Sequence, residues 1–351
     1  MTRKRVISLN YVPLLVTVSL FVLMFGLGSY FYNGFFSLQV FLNLFIDNAF
    51  LCIIAVGMTF VIISGGIDLS VGSVIALTTM MSAALLETYH WSPAAVLILV
   101  LTVGAGLGCL MGCLIHFFQL QPFVVTLAGM FLARGLCYLI SINSISITNP
   151  LYTSISQYRV PVYGDASISI GAIIALVVLG AAVFLAHFTK FGRTVYAIGG
   201  NEQSAVLMGL PVGRTKILIY TLSGFCSALA GVVFTFYMLS GYGLHAQGME
   251  LDAIAAVVIG GTLLTGGVGY VAGTLFGVLI LGVIQTLIIF EGTLSSWWTK
   301  IVIGLLLFAF CLMQRVFESG TGRLKAGAPT SLQRRQAQLP SAVTEDISGV
   351  A

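Results

Sequence analysis

The chain has 351 residues and a mass of 37.3 kDa, a length that ordinarily makes two or three soluble domains. Composition excludes that organisation: 58% of the residues are apolar and 7% charged, with a mean hydropathy of +1.07, whereas about a quarter of the residues of a soluble domain are charged. A nucleic-acid binder is excluded as well, because 15 basic and 11 acidic side chains, a net charge of +4, cannot build a large basic face.

Apolar stretches of about 20 residues recur along the chain, the mark of an all-α polytopic membrane protein. Arg3-Lys4-Arg5 followed by an apolar run from Tyr11 resembles a signal peptide. The run is too long, and Gly28-Ser29-Tyr30 offers no small-residue cleavage site, so a retained first membrane helix is expected. Ten spans are predicted, over about 12–32, 42–63, 69–87, 94–116, 122–142, 168–188, 215–240, 250–265, 270–290 and 297–314. Glycines interrupt the pattern in the third, eighth and ninth. The expected layout is an N-terminal segment 1–11, a membrane domain 12–314 with a long polar loop 189–216, and a polar tail 315–351 that reads as disordered.

The distribution of charge orients these spans. Ten crossings place on one side Arg3, Lys4 and Arg5, then Lys190, Arg193, Arg214 and Lys216, then Arg315, Arg323, Lys325, Arg334 and Arg335, which is 12 of the 15 basic residues. The other side holds Arg159, while Arg134 and Lys300 fall within or near spans. The positive-inside rule makes the basic side, with both termini, cytoplasmic. Tyr30, Tyr32, Trp91, Trp297 and Trp298 lie near the predicted outer ends, where an aromatic belt belongs.

Several chemistries lack their residues. None of Lys4, Lys190, Lys216, Lys300 and Lys325 follows a glycine, so no P-loop is present. No H-E-x-x-H or G-x-S-x-G occurs, and the four histidines are scattered over span ends and loops. The six cysteines lie in apolar stretches and read as buried free thiols. Cys109 and Cys113 share a helix face, yet no nearby His or carboxylate completes a ligand set, so no metal is expected. Gly104, Gly108 and Gly112 recur at the spacing that lets membrane helices approach closely.

Two segments carry information about function. In the first, Gly65, Gly66 and Gly72 break a helical pattern around the isolated carboxylate Asp68. Broken helices at membrane depth occur where they line a cavity or are buried in protein. An Asp at a helix centre costs about 2.5–3.5 kcal/mol on insertion scales. Two roles compete: Asp68 caps the next helix with help from Ser70, or it contacts a substrate. Span parity places it toward the cytoplasmic end. Asn48, Thr59, Asp68, Ser70, Thr126, Arg134 and Gln285 are polar residues in or beside otherwise apolar spans, and are candidates for a polar path. For each one alone, an interhelical hydrogen bond is the commoner use.

The second segment is the loop 189–216. Gly199-Gly200 leads to Asn201, an N-cap residue type; Glu202–Met208 then reads as a short helix ended by Gly209, with Pro211 after it. Glu202 sits in the first turn, and Ala205, Val206, Leu207 and Met208 form an apolar side flanked by basic residues. A capped helix of this kind suits docking of another protein, or sealing of the inner mouth of the bundle.

Specific phrases identify a resemblance. Ala55–Ser73 (AVGMTFVIISGGIDLSVGS) looks like the hallmark of ribose-type ABC sugar permeases. Phe123–Met130 (FVVTLAGM), Ala133-Arg134-Gly135, Tyr196–Asn201 (YAIGGN), Ser204–Gly209 (SAVLMG) and Asp252–Thr262 (DAIAAVVIGGT) resemble the same family, over about residues 40–315. Gly292–Lys300 (GTLSSWWTK) resembles the galactofuranose importer permease subgroup. The resemblance implies a membrane subunit, not itself an enzyme, with the ten-helix fold of the vitamin B12-type importers. It implies a permease dimer, homomeric or heteromeric, in the bilayer of a bacterial inner membrane. An ATP-binding cassette subunit holding ATP and Mg would sit on its cytoplasmic face, and a periplasmic sugar-binding protein would deliver the substrate. The 189–216 loop would be the coupling loop, through Gly200, Asn201, Glu202, Ala205, Val206, Met208 and Gly209. The main alternative is an ion-coupled secondary sugar transporter, supported by Asp68 and Arg134; a channel is a further one.

Overall fold

The computed structural model describes residues 12–326 apart from 296, so the N-terminal segment 1–11 and the tail from 327 onward lie outside the described residues. In order, the helices are α1 (Val12–Phe31), α2 (Leu38–Asp47), α3 (Ala49–Ile63), α4 (Val71–Ala83), α5 (Pro93–Phe117), α6 (Pro122–Ile140), α7 (Pro150–Gln157) and α8 (Ile170–Phe188). They continue with α9 (Lys190–Gly200), α10 (Glu202–Leu207), α11 (Val212–Met238), α12 (Met249–Ile259), α13 (Val271–Glu291) and α14 (Trp297–Ala326). A π-helical turn, Ala84–Thr88, extends α4. Two small antiparallel pairs complete the described part. β1 (Ile145–Ser146) joins β4 (Ser240–Gly241), and β2 (Arg159–Tyr163) joins β3 (Ala166–Ser169) in a hairpin.

Helix starts follow local chemistry. Pro93, Pro122 and Pro150 each stand at the first helical position, where no N–H is needed. Ser37, Ser92, Asn149, Ser169 and Thr189 each accept a first-turn N–H through the side chain. α3 is apolar on all sides and buried at every residue, as a helix at the centre of a bundle must be. α5 packs along α11 through its glycine stripe. A Cβ on Gly104 would lie 2.8 Å from the Gly224 carbonyl oxygen, and one on Gly112 2.8 Å from the Ile217 Cα. Small residues here substitute for the hydrophobic drive that lipid does not provide.

Among the described residues, eight helices are long and apolar enough to cross a membrane, and the α2–α3 pair, bent by 56°, is a further crossing if taken as one span. The eighth predicted span, 250–265, differs from expectation. Its helix α12 has 11 residues, about 16 Å at 1.5 Å per residue, roughly half of a hydrocarbon core. It stops where the Gly260 backbone packs against Gly273 and the chain turns left-handed at Gly261 (φ +91°). α14 also runs past the predicted end at 314, to Ala326. From Phe308 the chain forms a separate unit.

Candidate functional site

The segment between α3 and α4 does not end at the surface of the bundle. Residues 64–70 turn back inward, and Asp68 is fully buried. Its Oδ1 accepts the Ser70 N–H at 2.9 Å and the Ser70 hydroxyl at 2.6 Å, and its Oδ2 accepts the Ser223 hydroxyl at 2.7 Å. Ser223 stands 11 residues into α11, about 16 Å along that helix. The non-helical stretch lifts α4 so that it begins inside the bundle. Asp68 fixes the start of α4 and ties it to α11. The Ser73 hydroxyl donates to the Ser70 carbonyl at 2.7 Å, and the Thr126 hydroxyl to the Ile67 carbonyl at 3.2 Å, which brings α6 onto the same break.

The other candidate path residues separate into different places. Asn48 donates to the Leu44 carbonyl at 3.0 Å within the α2–α3 bend. Thr59 donates to the Ala55 carbonyl and shares a 2.7 Å hydrogen bond with Thr274 of α13. Gln285 is half-buried on α13. Asp68, Ser70 and Thr126 gather at the break, while Arg134 lies elsewhere on α6. Its Nη1 donates to the Gly243 and His245 carbonyls at 2.6 and 2.8 Å, clamping the loop that leads into α12. The His245 ring approaches Thr79 of α4 at 3.4 Å and packs edge-on against Phe234.

That loop, 239–248, starts at the β1–β4 pair and descends between α4 and α6, with left-handed backbone at Leu239, Ala246 and Gly248. α12 begins beside the buried start of α4, with Met249 to Asp252 still partly exposed, and Asp252 in its first turn pairs with Lys300 of α14 at 2.6 Å. Sequence reasoning passed over His245, Gln247, Glu250 and Asp252 as site residues. The signal was present: Gly241, Gly243 and Gly248 precede two carboxylates at the head of an apolar run.

At the Lys/Arg-rich end, α10 forms as its local signals predict. Asn201 accepts the Ser204 N–H at 2.7 Å, and Gly209 closes the helix with φ +74°. One expectation is corrected. Ala205 is fully buried against Ile198 and Val212, so it anchors α10 to α9 and α11 and is not part of an outward apolar side. Val206, Leu207 and Met208 are 56%, 88% and 67% exposed. Glu202 is held by Lys216 at 2.7 Å.

Behind α10 three glycine pairs meet backbone to backbone. A Cβ on Gly199 would overlap the Ile63 carbonyl oxygen, which accepts the Gly267 N–H at 2.8 Å. A Cβ on Gly266 would lie 2.9 Å from the Gly65 nitrogen, and one on Gly267 2.9 Å from the Gly200 Cα. The helix pair α9–α10 is thus keyed to the end of α3 at Ile63, five residues before Asp68, with no side chain between to absorb a displacement. Among the described residues, no group of three or more His, Cys, Asp or Glu is placed to hold a metal ion.

Comparison with known proteins places this arrangement. The chain is 52% identical to the inner membrane ABC transporter permease protein YjfF of Escherichia coli, over 86% of this chain and 92% of that protein. It is 42% identical to the fructose import permease protein FruG of Bifidobacterium longum, over 87% and 91% respectively. It is 38% identical to the ribose import permease protein RbsC of Bacillus subtilis, over 78% and 84%. No solved structure matches the chain. Residues 40–311 match the family described as branched-chain amino acid transport system / permease component, and the chain belongs to that family of transport permeases.

Proposed function

We propose that this chain is the membrane subunit of an ATP-driven importer for a monosaccharide, and that the sugar is galactofuranose. The observation that carries the reading is α10: a capped helix anchored inward by Ala205, presenting three apolar side chains outward and keyed through glycine backbones to the Asp68 break. A rigid projection of that kind transmits force from a separate ATPase to the bundle. The relatives' names support a sugar over the amino acid in the family description, since FruG and RbsC are fructose and ribose import permeases. The Gly292–Lys300 segment supports galactofuranose among sugars. Asp68, the carboxylate an ion-coupled carrier would use, has both oxygens engaged by buried donors, which favours ATP coupling.

In this reading the ATP-binding subunit, holding ATP and Mg, docks on Val206, Leu207 and Met208. A binding protein delivers sugar at the opposite face, and two permease subunits enclose the path in the inner membrane. Both termini are cytoplasmic, as the basic residues require. Reporter fusions at Ala337 and Gln157 test the orientation; a periplasm-only reporter active at Ala337 contradicts it. The function is tested in proteoliposomes holding the permease, its ATPase and its binding protein. ATP-dependent accumulation of galactofuranose, above ribose, fructose and leucine, is the expected result. Uptake that survives ATP depletion under a constant proton gradient overturns the mechanism, and preferential leucine uptake overturns the substrate class.

A further inference from the structure

Two kinds of surface cover the sides of this bundle. On α1, α5 and α8 the outward residues are apolar: Val22, Leu23, Ile98, Val177 and Phe184 are each more than half exposed. That is the face a bilayer requires. The face formed by α6, the loop 239–248, α12 and the first turn of α14 is mixed: Leu244, Leu251 and Trp297 are exposed on it, and polar groups stand among them. Gln247 is exposed, His245 and Glu250 are half-exposed, and the Lys300 side chain is 54% exposed where it meets Asp252. Glu250 receives no hydrogen bond from any described residue, and its Oε2 is buried against Gly72 and the Ala246 carbonyl without a donor. Arg134, Lys300, Glu250 and Asp252 are two cations and two anions, so the row selects for no ion of either sign.

Depth rules out an ordinary aqueous surface. Arg134 stands 12 residues into α6, about 18 Å along it. Gly72, beside Glu250, lies in the first turn of α4, which begins inside the bundle. Irregular backbone and ionisable side chains at such depth are tolerated where they meet water or protein, and half-helices that begin within a membrane mark transport sites.

We propose that Arg134, His245, Gln247, Glu250, Asp252 and Lys300 line a water-filled passage for an uncharged polyhydroxylated ligand, and that Glu250 accepts hydrogen bonds from its hydroxyl groups through Oε1, the oxygen that is not buried. The proposal rests on the sugar-importer reading and adds to it the wall along which the sugar moves. Carboxylates and amides accept from sugar hydroxyls, the guanidinium and ammonium groups donate to them, and the balanced charge leaves a neutral ligand no net field to cross.

The test uses the whole transporter with its ATPase in membrane vesicles. Gln247→Cys and, as a lipid-face control, Ile98→Cys are treated with a membrane-impermeant charged thiosulfonate, with the reaction of the native cysteines subtracted. We expect Gln247→Cys to react at least about ten times faster than Ile98→Cys, because a thiol reacts as its water-exposed thiolate. The transported sugar should slow it. Glu250→Gln should lower uptake about ten-fold at unchanged membrane level and unchanged ATPase co-purification, the worth of one hydrogen bond to a charged group. If Gln247→Cys is no faster than Ile98→Cys with or without ATP, the face is covered by lipid or by a second subunit and the passage is refuted. If labelling is fast but Glu250→Gln transports like wild type, the role of Glu250 is refuted. Labelling needs no substrate, so a transporter that moves none of the tested sugars overturns the importer reading while the labelling rates still decide the passage.

Discussion

Asp68 and Glu250 both stand where a helix resumes after a glycine-containing break, and their surroundings differ in every hydrogen bond. Asp68 is fully buried and receives three donors, two from Ser70 and one from Ser223, so the bundle closes around it. Glu250 is half-exposed and receives none from the described residues; its Oε2 is buried without a donor, and Oε1 is left to the open side. A buried carboxylate whose lone pairs are satisfied by fixed donors is part of the frame, since removing it would orphan those donors. A carboxylate left open beside a half-helix start has hydrogen-bonding capacity to spend on something that passes. Depth in the membrane therefore does not by itself mark a transport residue; the accounting of donors and acceptors does.

Removing each carboxylate in turn separates the two roles. Asp68→Ala leaves the Ser70 N–H, the Ser70 hydroxyl and the Ser223 hydroxyl buried without their acceptor, at about 1–3 kcal/mol each. We expect a large fall in monodisperse permease and a lower thermal midpoint in detergent. Glu250→Ala removes no hydrogen bond to a described residue, and its stability should stay within about 0.5 kcal/mol of wild type. Equal losses in the two variants would end the distinction. Ser223→Ala is the milder probe of the same frame, expected to cost about 1–3 kcal/mol through the single bond to Oδ2.

The same inward–outward logic divides α10. Ala205→Glu forces a carboxylate into a closed contact with Ile198 and Val212 and should lower the folded yield. Leu207→Glu, at a position 88% exposed, should leave yield and thermal midpoint unchanged while abolishing co-purification of the ATPase and uptake. Normal co-purification with Leu207→Glu would remove α10 from the docking surface. Gly199→Ala lies between these two, because its Cβ meets the Ile63 carbonyl in the backbone junction. The expected result is a folded, ATPase-bound permease in which hydrolysis continues and uptake falls, and wild-type uptake would show that the junction does not carry the stroke.

Much of this was legible in the sequence because it is local. Asn201 and Gly209 mark the two ends of α10 within nine residues, and the prolines at 93, 122 and 150 mark three helix starts. The orientation of Ala205 was not legible, since a helix of six residues is too short to define its faces by periodicity. The partner of Asp68 on α11 is 155 residues away in the chain, and no spacing rule reaches that far. α12 was read as part of a span over 250–265, although Gly260 and Gly261 interrupt the apolar pattern. What stops the helix is the backbone packing of Gly260 on Gly273, a tertiary contact. Glu250 was hidden for the same reason: a carboxylate at the predicted end of a span looks like an interfacial residue, and its depth appears only when the helix is seen to be short.

The smallest expected effect comes from a second pair of charges. Lys216 holds Glu202 at 2.7 Å, with side chains 17% and 45% exposed, at the aqueous end of the bundle. Lys300 holds Asp252 at 2.6 Å on the face assigned to the passage. The two distances are nearly equal, so geometry alone predicts nothing different. Nor does exposure, since the Lys300 and Asp252 side chains are 54% and 16% exposed. A pair with one partner this open is screened by water and salt and contributes about 0–1 kcal/mol, and what differs is what each pair stands beside. Lys216→Ala should therefore shift the thermal midpoint of the permease only slightly, with the shift vanishing at high salt because the Debye length shortens. It leaves Val206, Leu207 and Met208 in place, so the ATPase should still co-purify. Lys300→Ala leaves Asp252 without its cation beside the passage, and its effect should appear in uptake more than in the thermal midpoint. Should Lys216→Ala abolish ATPase binding instead, the ion pair belongs to the docking surface itself, and the division between an apolar contact on α10 and a polar passage along α12 would have to be redrawn.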